Sequence, residues 1–129
     1  MVIDSSAVFA VVFHEQDRAL YLKAMTSAPE VRISAPTLFE CRIVAMSRGG
    51  RDNESDLFDL LDEINAEIIP FDEGQVELAA FAYRRYGKGV DRASLNFGDC
   101  FSYALAKSRD EPLLYKGGDF ARTDVAAAV

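Results

Sequence analysis

The chain is poor in the residues that build covalent scaffolds and zinc sites: its 129 residues include two cysteines and one histidine. Cys41 and Cys100 are too few for a disulfide framework and lack zinc-ligand spacing, so both are expected to remain thiols that pack as small apolar groups. His14 has no nearby second histidine, cysteine or serine partner, which excludes a zinc site or a triad built on it. No Gly-rich run ending in Gly-Lys-Ser/Thr follows a strand-like segment and no GxGxxG opens a helix, so nucleotide-cofactor folds lose support. Long hydrophobic runs are missing as well. The longest, Ala7 to Phe13, covers seven residues, far fewer than the roughly 20 that span a bilayer. Asp4 interrupts the beginning and no basic segment precedes the apolar residues. The expectation is a cytoplasmic protein with no signal peptide and no membrane helix.

Positive charge is scarce. Fourteen Lys and Arg face 21 Asp and Glu, a net charge of −7, which argues against a broad basic surface for nucleic acid. A local exception lies between Arg84 and Arg92, where Arg84, Arg85, Lys88 and Arg92 stand against the lone acid Asp91. This stretch is a candidate basic rim for substrate. At 50% hydrophobic and 27% charged residues, the composition predicts one domain over 1–129.

Strand-like and helix-like segments alternate. Met1 to Asp4 reads as a short buried strand, followed by Ser5-Ser6 as capping hydroxyls and a helix over Ala7 to Phe13. A helix over Asp17 to Ser27 is expected to pack through Ala19, Leu20, Leu22 and Ala24, and to stop at Ala28-Pro29. Val31 to Ser34 reads as a strand. Pro36 starts a helix whose apolar face is Leu38, Phe39, Ile43, Val44 and Met46, and which Gly49-Gly50 ends. Asp52 to Asn65 is amphipathic, with Leu57, Phe58, Leu60, Leu61 and Ile64 inside and its acids on a solvated face. A strand over Glu67 to Phe71, a helix over Glu73 to Tyr86, a loop over Gly87 to Asn96, a helix over Phe97 to Ser108 and a strand over Pro112 to Tyr115 follow. Val125 to Val129 adds a last edge strand. This alternation predicts an α/β sandwich with a central, mostly parallel sheet of four to five strands, covered on both faces.

Four acids sit where these elements begin or end: Asp4, Glu40, Asp99 and Asp119. Gathered in one pocket they would repel one another unless protons or a cation intervened. Carboxylate oxygens suit Mg²⁺ or Mn²⁺, which keeps several waters and is completed by a substrate phosphate. Metal-assisted phosphodiester hydrolysis is the chemistry this set points to. Asp4 and Asp99 are the candidate direct ligands. Glu40 and Asp119 then bind through water, complete a second metal or orient the nucleophile. Ser6 is a candidate supporting hydroxyl and Asn96 a candidate substrate contact, each also explained as a helix cap.

Four blocks carry a resemblance over nearly the whole chain: Val2-Ile3-Asp4-Ser5-Ser6-Ala7, Ala35-Pro36 leading to Glu40, Phe97-Gly98-Asp99-Cys100-Phe101-Ser102-Tyr103-Ala104-Leu105-Ala106, and Leu113-Leu114-Tyr115-Lys116-Gly117-Gly118-Asp119-Phe120-Ala121-Arg122-Thr123-Asp124. In this order they resemble the signature blocks of PIN-domain proteins, and most closely the VapC toxins. The resemblance implies a PIN-like α/β/α sandwich and a Mg²⁺- or Mn²⁺-dependent endoribonuclease. It further implies a VapB-type antitoxin that covers or enters the acidic site, and a homodimer. It carries the site acids onto Asp4, Glu40, Asp99 and Asp119, with Ser6 at a hydroxyl position. In many relatives the last acid follows the strand more directly; here Tyr115-Lys116-Gly117-Gly118 intervenes, so Asp124 stands as an alternative fourth acid. A noncatalytic PIN-like module that binds RNA or protein is the alternative function. A phosphoryl-transfer domain also puts an Asp at a strand end, but Ser5-Ser6 after Asp4 lacks the second Asp of the dehalogenase-type nucleophile.

Overall fold

The computed structural model describes residues 1–48 and 52–129. Four short strands, β1 (Val2–Ile3), β2 (Arg32–Ser34), β3 (Glu67–Ile69) and β4 (Leu113–Leu114), form a parallel sheet in the order β3-β2-β1-β4. Six α-helices connect them: α1 (Ser5–Val12), α2 (Arg18–Ser27), α3 (Ala35–Ser47), α4 (Asn53–Glu63), α5 (Glu73–Tyr86) and α6 (Phe97–Arg109). The chain runs outward from β1 through β2 to β3, then crosses back to place β4 on the other side of β1. The order reverses between β1 and β4, and the crevice beyond the carboxyl ends of such strands is where open α/β sheets hold their sites.

The pleat divides the core into two. Ile3 and Leu114 join the cluster under α1, α2 and α4, with Tyr21, Met25, Ile33, Leu57 and Leu60. Their neighbours Val2 and Leu113 point the other way, into the cluster of α5 and α6 with Tyr86, Tyr103, Leu105 and Phe120. Alternate side chains on opposite faces are what a strand requires, so the sheet is covered by helices on both sides.

Several sequence expectations change in detail. The first helix begins at Ser5, because Asp4 itself is its N-cap. On α2 the buried side chains are Tyr21 and Met25, while Leu20 is exposed. On α3 the inward face is the small set Thr37, Cys41 and Ala45, and Phe39, Ile43 and Met46 lie outside, 64, 43 and 59% exposed. Tight packing of α3 against the sheet and α6 selects small residues, so bulk was a poor guide to burial. Phe58 on α4 is exposed too. The helix stop assigned to Gly49-Gly50 lies outside the described residues, and α3 has already ended at Ser47. The expected edge strand over Val125 to Val129 reduces to one parallel bridge, Leu113 with Ala127. The segment from Gly87 to Asn96 is a loop, yet Ala93 and Leu95 within it are fully buried.

Candidate active site

Asp4 leaves the carboxyl end of β1 and caps α1, with only 2% of its surface exposed. Both oxygens of its carboxylate accept hydrogen bonds. Oδ2 accepts from the Ser6 backbone N–H at 3.0 Å and the Ser6 hydroxyl at 2.6 Å, and Oδ1 accepts from the Ser102 hydroxyl at 2.6 Å. Hydrogen bonds to an ionised carboxylate are the strong ones, and they make burial of this acid tolerable. Ser102 also meets the Thr37 hydroxyl at 3.3 Å. Ser6 in turn accepts the Lys116 backbone N–H at 3.0 Å, which ties the loop after β4 to the first turn of α1.

Glu40 stands on the second turn of α3 and accepts from the Ser5 hydroxyl at 3.2 Å. Burial raises its pKa, the Asp4 charge raises it further, and the Ser5 bond partly offsets both. Facing it is Gly98 on α6, where a Cβ would fall 2.6 Å from Glu40 Oε2. The missing side chain is what lets Glu40 lie against α6.

Asp99 opens α6 in a reciprocal cap: Asn96 Oδ1 accepts the Asp99 backbone N–H, and Asp99 Oδ2 accepts the Asn96 backbone N–H, both at 2.9 Å. Burial pushes the Asp99 carboxyl up to about 7. The Asn96 backbone bond works against that rise, and the charges of Asp4, Asp119 and Glu40 add to it. Asp99 is therefore the residue that feels all three other candidate acids. Asp119 is exposed and precedes a single 3₁₀ turn, Phe120–Arg122, with no side-chain capping bond. The turn before it needs Gly117, whose φ is +99°.

Asp124 is placed elsewhere. It accepts from Tyr103 Oη at 2.7 Å and Lys107 Nζ at 3.1 Å. Its burial would raise its pKa, but those two donors outweigh burial and hold it low. Arg85 is committed to Asp91 at 3.6 Å and lies over the Tyr86 ring. Lys116 Nζ is held by Asp17 at 2.8 Å and by Glu15, so its charge is turned away from the acids. Cys41 and Cys100 are buried thiols, and burial raises both pKa values, that of Cys100 to about 11. Neither has the thiolate character of a nucleophile.

Among the described residues, no group of three or more His, Cys, Asp or Glu side chains is gathered closely enough to hold an ion by itself. The four acids are linked by charge rather than by contact. Sequence reasoning missed Ser102, Thr37, Ser5, Gly98 and Lys116. Two of these were visible as spacing, since Ser102 follows Asp99 by three residues and Thr37 precedes Glu40 by three, which puts each on its acid's helix face.

A parallel α/β sheet with one buried acid, Asp4, and the half-buried Glu40 and Asp99 about its switch point defines a class, and residues 1–126 match the PIN domain family. The chain belongs to that family. It is 45% identical over 127 residues to the Ribonuclease VapC of Mycolicibacterium smegmatis, covering 98% of each chain. It is also 42% identical over 130 residues to Ribonuclease VapC28 of Mycobacterium tuberculosis, covering 100% of this chain and 98% of that one. Within the family, then, it falls among the VapC toxin ribonucleases. Two solved Mycobacterium tuberculosis structures share the fold. VapC20, described as a Sarcin-Ricin loop cleaving toxin, superposes with a TM-score of 0.78 at 16% identity, over 97% of this chain and 95% of that one. VapBC-5, a member of the VapBC family of toxin-antitoxin systems, gives 0.67 at 25% identity over 99% and 93%. No described helix is long and apolar enough to cross a membrane.

Proposed function

We propose that this chain is a metal-dependent endoribonuclease toxin, acting in the cytoplasm as one domain over 1–129. The observation that carries the reading is the position of Asp99, raised to about 7 with Asp4, Asp119 and Glu40 all contributing charge. Burial is the larger cause of that rise and the neighbouring acid charges the smaller; both favour a cation beside the carboxylates, and the donors on offer are hard carboxylate and hydroxyl oxygens, the set that suits Mg²⁺ or Mn²⁺. Lys116, whose backbone N–H meets Ser6, is already paired with Glu15 and Asp17. In donor type the residues fit a divalent metal, which would be held by Asp4 and Asp99 and draw Glu40 and Asp119 toward it to complete the charge.

A bound divalent ion supplies Lewis acidity toward the scissile phosphate and lowers the pKa of attacking water. The chain's own residues do the rest. Ser6 and Ser102 orient Asp4 from both sides, leaving its charge fixed without reorganisation during the reaction. Glu40, whose carboxyl burial raises above its ordinary value, is the acid assigned to accept a proton from attacking water. Asn96 and the cations Arg84, Arg85, Lys88 and Arg92 are assigned to the substrate side of the crevice.

The acidic crevice also fits a VapB-type antitoxin that brings an Arg or Lys to the acids, where its charge takes the place of the metal's. A homodimer is supported by a surface that one copy leaves bare: Phe39, Ile43 and Met46 on α3 and Phe97, 78% exposed, at the start of α6. Contiguous exposed apolar side chains of this kind mark an interface.

The deciding experiment incubates total cellular RNA with purified, antitoxin-free protein in Mg²⁺, Mn²⁺ or EDTA, beside the folded Asp4→Asn/Asp99→Asn variant. Discrete fragments that require both metal and acids are expected. Fragments that persist in EDTA, or in the variant, overturn the mechanism, and RNA binding without cleavage supports a noncatalytic module.

A further inference from the structure

The loop between α5 and α6 has a backbone fixed by its own hydrogen bonds. The Gly87 carbonyl accepts the Val90 and Asp91 backbone N–H groups at 3.0 and 3.1 Å, and Leu95 bridges back to Tyr86 and Lys88 at 2.9 and 2.8 Å. Ala93 and Leu95 anchor the loop with fully buried side chains on either side of Ser94. Asp91, its one acid, is used up: one oxygen takes the Ala93 backbone N–H at 2.9 Å and the other pairs with Arg85. Arg92 projects from this fixed loop. Arg122 reaches it from the 3₁₀ turn, with Nη1 donating to the Arg92 carbonyl at 3.5 Å.

Arg92 and Arg122 border one open cleft of about 550 Å³, together with Gly89, Val90 and Asp91. Neither arginine has a carboxylate within ion-pair distance among the described residues. In a chain with 21 acids and 14 basic residues, two arginines from 30 residues apart on one cleft whose lining acid, Asp91, is already paired with Arg85 are conspicuous. An arginine with no carboxylate partner is free to pair with an anion, and the planar guanidinium is the group that recognises phosphate in a bidentate way.

The cleft is joined to the acids by a single turn. Arg122 lies three residues after Asp119, at the other end of the same 3₁₀ turn. Phe120 between them is buried, so the turn is a rigid spacer. We infer that Arg92 and Arg122 form a phosphate-binding site for the RNA strand as it leaves the acidic crevice. This deepens the ribonuclease reading and rests on it. Positioning by backbone phosphates, without base contacts, gives the acidic protein a local grip that its net charge denies it elsewhere.

The test measures binding of a labelled single-stranded RNA of about 15 nucleotides, within the usual footprint of single-strand sites, across a salt series. All proteins carry Asp99→Asn so that the probe stays intact. Each lost phosphate contact lowers the slope of log K against log salt by about 0.7 for single strands. Arg92→Gln/Arg122→Gln is therefore expected to lower it by about 1.4, and Arg92→Lys/Arg122→Lys to restore most of the slope. Both side chains are exposed, and matched thermal melts check that the fold is kept. An unchanged slope in the Gln variant overturns the inference, as does absence of RNA binding in the parent, which points instead to an acidic protein partner at the cleft. Cleavage by the otherwise unaltered chain is scored separately: cleavage with an unchanged slope sinks this site alone, and a changed slope without cleavage sinks the catalytic reading alone.

Discussion

Ser102 donates a 2.6 Å hydrogen bond to Asp4 across 98 residues of sequence, joining the middle of α6 to the carboxyl end of β1. Both groups are almost wholly buried. The pair therefore acts on stability and on the site together.

Ser102→Ala leaves Asp4 Oδ1 without its donor in a water-poor environment. Hydrogen bonds to charged groups are worth about 1.5–3 kcal/mol, and urea unfolding is expected to show a loss of that size. RNA cleavage should fall at the same time, whereas Ser102→Thr, if accommodated, should recover part of both. A stability equal to the parent's would mean that the bond contributes nothing net.

Gly98→Ala places a methyl 2.6 Å from Glu40 Oε2 and 3.3 Å from Asn96 Oδ1. The flexible end of Glu40 is the part that yields. The expected result is a strong loss of cleavage with only a small change in melting temperature, because the displaced group is a side-chain tip and not backbone. Retained full activity would argue that the position of Glu40 is immaterial to the reaction.

Asp99 carries a pH signature. Its folded pKa, raised to about 7 from 3.8, means that between those values the native state holds a proton that the unfolded chain has lost. Stability from this group is thus present at low pH and lost as pH rises from about 4 through 7. Glu40 is raised as well and contributes in the same direction. Melting temperature in metal-free buffer is expected to decline across that window, and Asp99→Asn should flatten the decline. An identical profile for the variant would show that Asp99 titrates normally.

Phe97→Glu and Phe39→Glu alter side chains that are 78 and 64% exposed in a single copy. If this face joins two copies, sedimentation should change from dimer to monomer with little change in the melt of the monomer. Both residues border the same cavity of about 470 Å³, with Pro36, Ile43 and Phe101. A dimer that survives both substitutions would place the interface elsewhere.

Much of the fold was legible because its signals are local. Asn96 caps α6 and Pro36 lies in the first turn of α3, each beside the hydrophobic periodicity that continues its helix. The face of α3 was not legible, since Phe39 and Met46 look like core residues until the neighbouring elements show that only small side chains fit beneath the helix. The loop before α6 reads as polar punctuation, yet Ala93 and Leu95 are as buried as any residue in the chain.

The sequence alone determined the alternation of elements, the four acids and their order, and the shortage of positive charge, because these follow from residue identity and short-range spacing. Tertiary structure decided which hydroxyls hold Asp4, that Asp119 and not Asp124 couples to Asp99, and that Arg122 meets Arg92. The physical reason is distance along the chain. Hydrogen bonds and Coulomb interactions act over a few ångströms of space: Ser6 is within that reach of Asp4 by sequence alone, whereas Ser102 reaches it across 98 residues through the packing of α6 against β1.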